Sequence, residues 1–271
     1  MATQYEKAEA LQKLHASNET FVIPNPWDIG SARLFEGLGF KALATTSSGF
    51  AYTLGRNDGQ VTLDEKLAHC RLLSAATSIP ISADLENLFA HDPETAAKTI
   101  GLAAETGLVG GSIEDYDGEK IYDFDLAVER VQAAVEAAKS LDFPFALTAR
   151  AENLLRGVQD IDDTIRRLQA FEAAGADMLY APGLKTLEQV RLVVDALSKP
   201  VNVLITTMSD PNVTVADLAA AGVRRVSIGG ALAKVAYGSL LEGGQEMLES
   251  GRFAWRAKLS TAKGLDQLLS L

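Results

Sequence analysis

Four joints in this chain carry the same kind of phrase: EGLGFKAL, AETGLVGG, EAAGADML and AAAGVRRV. In each, a glycine closes a helix-forming run and an apolar run follows. Glycine just past a helix end takes the left-handed conformation that stops a helix. Each joint therefore reads as a helix ended and a strand begun. The β-rich runs are FVIPN (21–25), ALATT (42–46), PISAD (80–84), LVGGSIE (108–114), FALTAR (145–150), DMLYA (177–181), VNVLI (201–205) and RRVSIGG (224–230). Between them lie helical patterns, in which Val128, Val131, Val135 and Ala138 share one face and Ile161, Ile165 and Leu168 another. Strands alternating with helices mean βαβ units and a parallel sheet. The class is α/β. Eight such units in about 250 residues is the size of a (β/α)8 barrel. A doubly wound open sheet is the competitor, but the count of eight and the lack of GxGxxG after the first strand favour the barrel.

The 271 residues read as one barrel domain, 1–271, with an extra helix over 252–271 (RFAWRAKLSTAKGLDQLLSL). Leu265, Leu268 and Leu269 give that helix a one-sided apolar stripe. Such a helix on a finished barrel needs a surface to pack on, which points to oligomerisation. The start, MATQYEKAEALQKLH, has acids and no apolar core, so a secretory signal is not expected. No apolar run approaches the ~18–20 residues that span a bilayer. One cysteine, Cys70, allows neither an internal disulfide nor a Cys-rich metal site, and a cytoplasmic location is expected. With 25 Lys and Arg against 36 Asp and Glu, the net charge is −11. That disfavours nucleic acid and anionic membrane as partners, since both need a basic face. A small anionic substrate stays open if a local arginine or metal receives it.

Barrel active sites sit at the C-terminal ends of the strands. There the sequence places Ser47, Ser48 and Gly49 with Asp58 in the following loop, then Asp84 and Glu86, Glu114 and Asp115, and Arg150 with Glu152 close behind. Carboxylates converging on one point repel unless a cation joins them. Oxygen ligands of this kind suit Mg2+ or Mn2+. Asp58, Asp84, Glu86 and Glu114 outweigh one divalent ion plus Arg150, so some of these acids act through water, stand back from the ion, or are protonated.

Plainer readings exist for each residue. Asp84 and Glu86 could cap the next helix, and Asp58 lies in an ordinary Arg-Asn-Asp-Gly turn. Glu114 and Asp115 could be a solvated strand end, and Arg150 a structural ion-pair partner. His15, His69 and His91 are scattered and read as non-catalytic. Cys70 reads as packing. Gly229-Gly230 before a helix could hold an anion or serve close packing.

The motifs NPWDIGSARLFEGLGFKALATTSSGFAYTLGRNDG, SADLEN, GSIEDYDG, LTARAEN and AGADMLYAPG, in this order, resemble the isocitrate lyase/phosphoenolpyruvate mutase superfamily over roughly residues 20–240. The resemblance implies a (β/α)8 barrel whose last helices are exchanged between subunits, giving homodimers or homotetramers. It implies a Mg2+ (or Mn2+) site on Asp84, Glu86 and Glu114, the last through water. It implies that Arg150 binds a substrate carboxylate, that Ser47, Ser48 and Gly49 hold the 2-oxo-carboxylate end, and that Asp58 lies near the reacting centre. The shared chemistry is formation or capture of a pyruvate-type enolate, stabilised by a fixed cation.

The departures narrow the reading. Glu86 replaces the second Asp of the superfamily's D-x-D motif, and Leu88 stands at its usual glycine. The stretch EDYDGEKIYDFD lacks the Cys and His of K-[KR]-C-G-H, so isocitrate and 2-methylisocitrate lyase activities are not expected. Tyr116 stands where phosphonate-cleaving relatives carry Lys, although Lys120 could reach in from the loop 115–124, which would act as a lid. Pro182 falls near an acid of the lyases. The leading expectation is a Mg2+-dependent lyase or hydrolase cleaving a C–C bond beside a 2-oxo or 2-hydroxy carboxylate. Arg150, Glu114 and Asp58 would be catalytic, and Tyr116 and Lys120 would join the substrate contacts. The alternatives are phosphonomutase or phosphonopyruvate hydrolase chemistry, a metal-dependent pyruvate aldolase, and a barrel that binds a metabolite without turnover.

Overall fold

The computed structural model describes residues 2–262 and 264–269. In chain order the elements are α1 (Gln4–Ala16), β1 (Phe21–Ile23), α2 (Ile29–Gly37), β2 (Leu43–Ala44), α3 (Ser47–Thr53), α4 (Leu63–Ala76), β3 (Ile81–Ala83), α5 (Pro93–Ala104), β4 (Gly110–Glu114), α6 (Phe124–Lys139), β5 (Ala146–Arg150), α7 (Ile161–Ala174), β6 (Met178–Tyr180), α8 (Leu187–Asp195), β7 (Val201–Leu204), α9 (Val215–Ala220), β8 (Arg225–Ser227), α10 (Ala231–Ser250) and α11 (Leu265–Leu269). All eight strands fall inside the eight runs read from the sequence. They pair in parallel in the order β1-β8-β7-β6-β5-β4-β3-β2. Between β2 and β1 the gap is bridged by Ala44 N–H donating to Pro24 O (3.0 Å) and Asn25 Nδ2 donating to Thr45 O (3.1 Å). The result is a nearly closed (β/α)8 barrel.

The helix-ending glycines behave as their position demands. Gly39, Gly107, Gly175 and Gly222 have φ of 94°, 89°, 107° and 83°. That region is cheap only for glycine. The main core lies between strands and helices. Leu147 and Ala149 of β5, Val226 of β8, and Val131, Val135 and Leu168 of α6 and α7 belong to it.

The other side of the strands faces the barrel axis. Barrel interiors are usually filled with bulky branched side chains. Here Ser82, Ser112, Thr148, Asn202, Arg225 and Ser227 line a cavity inside instead. Helix α1 covers the N-terminal end, with Leu11 packed in one cluster with Ile23, Ala42, Val109 and Ala146.

The C-terminal segment differs from the single helix expected over 252–271. Gly251 (φ 63°) ends α10, a 3-10 stretch spans Ala254–Ala262, and Gly264 (φ 92°) precedes the short α11. Of the two, Gly264 falls inside the expected helix, and a left-handed residue cannot be carried there without cost, so the segment breaks at that point. Helix α11 lies against α2 of the same chain. Met1, and Lys263, Ser270 and Leu271 of the expected helix, lie outside the described residues.

Candidate active site

The cavity has a volume of about 540 Å³ and opens at the C-terminal ends of the strands. Arg150 is its hub. The last residue of β5, it pairs in register with Glu114 at the end of β4 and with Tyr180 on β6. Its Nη1 lies 2.9 Å from Glu114 Oε1 and 3.2 Å from Asp84 Oδ1. Its Nε and Nη2 hold Glu152 Oε1 at 2.8 and 2.7 Å. Its guanidinium carbon stands 4.9 Å from the centre of the Tyr180 ring. Arg156 adds a second layer: Nε donates to Glu152 Oε2 (3.0 Å), and Nη2 is 3.4 Å from Glu114 Oε2.

Asp84 is gripped from behind. Ser47 N–H donates to its Oδ2 (3.2 Å), and its own N–H donates to Thr45 Oγ1 (3.0 Å). The same hydroxyl accepts a hydrogen bond from Lys66 Nζ (3.1 Å), whose side chain is fully buried. Burial alone would raise the Asp84 pKa, but Arg150 and then Lys66 hold it below the usual range. Glu114 goes the other way. Burial raises it well above the ordinary value, against the opposing pull of Arg150. Burial also pushes the Tyr180 hydroxyl up to about 12, so it keeps its proton.

Glu86 does not face the main cavity. It borders an adjoining cleft with Asn87, Tyr116 and Asp117, and the two spaces meet at Ser47, Asp58, Glu114 and Arg156. The loop that carries it is strained: Glu86, Leu88 and Phe89 have φ of 50°, 60° and 55°. Left-handed backbone is costly for such residues and persists only where its surroundings enforce it. Arg130, completely buried, supplies that enforcement by donating to the carbonyls of Asn87, Ala90 and His91 at 2.6, 2.6 and 2.7 Å. Burial, then the charge of Asp84, pushes the Glu86 carboxyl up to about 7. Neither Asp84 nor Glu86 caps α5, a task done by Asp92.

Ser48 lines the cavity beside Thr46, the two hydroxyls 3.2 Å apart. Gly49 does not line it. A Cβ there would stand 2.6 Å from Thr46 Cγ2 and 2.9 Å from Trp27 Cβ, so close packing requires glycine at this position. Asp58, exposed, borders both spaces. Lys120, expected to reach the site from its loop, stands outside both spaces in this structure. The segment after β4 folds as a small hairpin, with Tyr116 bridged to Ile121 and Asp117 Oδ1 accepting from the N–H of Lys120 (2.7 Å). That turn leaves Lys120 exposed and bordering neither space. Tyr116 borders only the cleft, under the Arg156 guanidinium at 3.9 Å.

None of the three histidines borders either space. His69 stacks on Phe50 with ring centres 3.8 Å apart, and its Nε2 lies 2.9 Å from Trp27 O. Burial lowers it to about 3, so the neutral ring donates to that carbonyl. Cys70 is buried.

As it stands, the acid set is not a closed metal cage. Among the described residues no three His, Cys, Asp or Glu side chains are gathered to hold an ion. Arg150 Nη1 sits between Asp84 and Glu114, and Glu86 turns toward the cleft. The donor chemistry nevertheless fits a hard divalent cation. The ligands are oxygens only, and beside the burial that chiefly raises Glu86, the charges of Asp84 and Asp58 raise it further.

Sequence reasoning passed over Arg156, Lys66 and Arg225. Period-two alternation on β8 was the available signal for Arg225, since it shares a face with Ser227. Lys66 on a helix and Arg156 in a loop had no such signal.

Comparison with known proteins bears on this geometry. Residues 11–248 match the family model described as phosphoenolpyruvate phosphomutase. An uncharacterized protein of Mycobacterium tuberculosis is 32% identical over 218 residues, 80% of each chain. The crystal structure of a Burkholderia cenocepacia protein, described provisionally as a lyase/mutase, is 47% identical with a TM-score of 0.94, covering 99% of this chain and 97% of that one. The structure of an oxaloacetate acetylhydrolase with its product oxalate is 25% identical, with a TM-score of 0.86 over 100% of this chain and 96% of that one.

Proposed function

This chain belongs to the phosphoenolpyruvate phosphomutase family, within the isocitrate lyase/phosphoenolpyruvate mutase superfamily, and on that premise we propose that it is an enzyme cleaving a C–C bond beside a 2-oxo or 2-hydroxy carboxylate. Its substrates are small dicarboxylates of the oxaloacetate or alkylmalate kind. The observation that carries this reading is the Arg150 hub. One guanidinium holds Asp84 and Glu114 together at the mouth of a polar cavity whose rim carries Ser47 and Ser48.

Each side chain has a physical task. Ser47, Ser48 and the backbone at Gly229-Gly230 offer hydrogen bonds to a substrate carboxylate. A divalent cation, Mg2+ or Mn2+, held by Asp84 and Glu114 with Glu86 reaching it from the adjoining cleft, would stabilise negative charge developing on the keto oxygen as the bond breaks. Arg150 keeps the acids in place and neutralises them in part. Asp58, exposed between the two spaces, positions or deprotonates a water or a substrate hydroxyl. Tyr180 keeps its proton and offers a hydrogen bond from within the cavity. The hairpin over 115–124, stacked on Arg156, shields the cleft from water.

Two observations favour C–C over P–C chemistry. Lys120 stands away from both spaces, and the oxalate-bound acetylhydrolase is similar over the whole chain. The exposed Leu240, Leu241, Leu248 and Phe253 on and beyond α10 support a dimer or tetramer. The test is thermal unfolding with Mg2+ and oxalate, separately and together, followed by oxaloacetate turnover. A ligand at ~100 times its Kd adds about 2.7 kcal/mol. The expected result is a shift needing both ligands and lost in Asp84→Ala. Absence of any shift at millimolar ligand would overturn the enzyme reading in favour of a non-catalytic barrel, and turnover of phosphonopyruvate alone would overturn the bond assignment.

A further inference from the structure

We propose that Arg225 and Ser112 form a second anion subsite on the floor of the cavity, which takes the distal carboxylate of the substrate; this rests on the function proposed above. Arg225 is the first residue of β8 and is 5% exposed. Its partners are all neutral. Nε donates to Asn202 Oδ1 (2.8 Å), Nη2 donates to Thr148 Oγ1 (3.1 Å), and Nη1 lies 3.4 Å from His15 Nε2. His15 is held uncharged by burial and by Arg225 itself, with its pKa near 3. Among the described residues no carboxylate acts on Arg225, whose pKa burial lowers to about 10, so it stays cationic at neutral pH.

A buried ion with neutral partners costs several kcal/mol unless something completes it. Arg130 shows what a structural arginine receives in this fold: three carbonyl oxygens at 2.6–2.7 Å and the face of the Tyr122 ring at 4.3 Å, with Nε alone unanswered among the described residues, away from either space of the site. Arg225 borders the cavity and spends three N–H bonds, two on the short acceptors and one on the longer His15 contact, while a guanidinium carries five N–H donors. Two N–H bonds are therefore left to give.

A second observation is independent of the first. Ser112 also borders the cavity, is 8% exposed, and its buried Oγ has no hydrogen-bond partner among the described residues. It is the register partner of Thr148, the residue Arg225 reaches. Neighbouring strands lie ~4.8 Å apart, so cation and orphan hydroxyl share one floor. A carboxylate accepts from both.

The floor lies below the reacting centre by a definite step. Thr148 precedes Arg150 by two residues on β5, roughly 6–7 Å along the strand. A diacid with its 2-oxo-carboxylate end at the mouth can place its other carboxylate at Arg225. A monoacid of the same length leaves the guanidinium unanswered.

The experiment compares 2-oxoglutarate with 2-oxovalerate, of equal length but one carboxylate fewer, with Mg2+ present and oxalate as the control for the mouth. Binding is read by titration calorimetry. In the parent protein 2-oxoglutarate binds about 10- to 100-fold more tightly than 2-oxovalerate, the range for a hydrogen-bonded charge. Arg225→Met removes that preference and leaves oxalate unchanged. Ser112→Ala deletes only a partnerless hydroxyl, and it reduces the preference severalfold even if Arg225→Met does not fold. Equal binding of the two acids by the parent, or a preference that survives in both variants, overturns the subsite. Loss of oxalate binding in the parent strikes the proposed function instead.

Discussion

Replacing Arg150 by methionine tests the site's electrostatics directly. The guanidinium touches three carboxylates at 2.7–3.2 Å, and the side chains of Glu152, Glu114 and Asp84 are 0%, 7% and 18% exposed. Arg150→Met keeps the approximate volume and removes the charge. Stranding a buried partner costs ~3–5 kcal/mol. A domain of this size loses roughly 2–4 °C per kcal/mol, so Tm falls by ~6–20 °C. The double mutant Arg150→Met/Glu152→Gln separates charge from packing. Once Glu152 is neutral, one of the stranded charges is gone, and the double mutant recovers ~1–3 kcal/mol relative to the sum of the singles. Urea and thermal unfolding of all four proteins at one pH measure this coupling. Strictly additive effects, or an Arg150→Met protein as stable as the parent, would refute the hub.

Three further outcomes are expected. His15 and His69 are both held near pKa 3, chiefly by burial. The unfolded chain therefore binds protons there that the folded chain does not, and their stability is complete above about pH 6.5 and lost as pH falls toward 3. Each contributes ~1.4 kcal/mol per pH unit inside that window. Urea midpoints from pH 7 to 4.5 should show a shallower slope in His69→Gln than in the parent, and equal slopes would count against the assignment. Gly49→Ala forces a Cβ to 2.6 Å from Thr46 Cγ2 and costs ~1–3 kcal/mol, read as a lower Tm. Lys120→Ala leaves turnover unchanged, and a large loss in kcat would bring that lysine back to the site.

The alternation of strands and helices and the helix-ending glycines were legible because both are local. A strand alternates every second residue, a helix-stopping glycine acts through its own φ, and neither needs a distant partner. The acids at the ends of β3 and β4 and the arginine at the end of β5 were legible for the same reason, since a parallel barrel sends every strand end to one rim. What the chain alone could not show was direction at that rim. Glu86 turns aside because its loop is left-handed and pinned by Arg130, and Lys120 is carried away by a hairpin turn. Gly49 is spent on packing against Trp27.

Residue types and their spacing determined the barrel and the acid-and-arginine composition of its mouth, because local periodicity fixes both. Only the tertiary structure decided that Arg150 clamps three carboxylates and that Lys66 stands behind Asp84. It also decided that Arg225 faces a polar floor without an acid. Those pairings join residues as far as 210 positions apart, and whether a buried charge meets a partner depends on which side chains the closed barrel brings within a few ångströms.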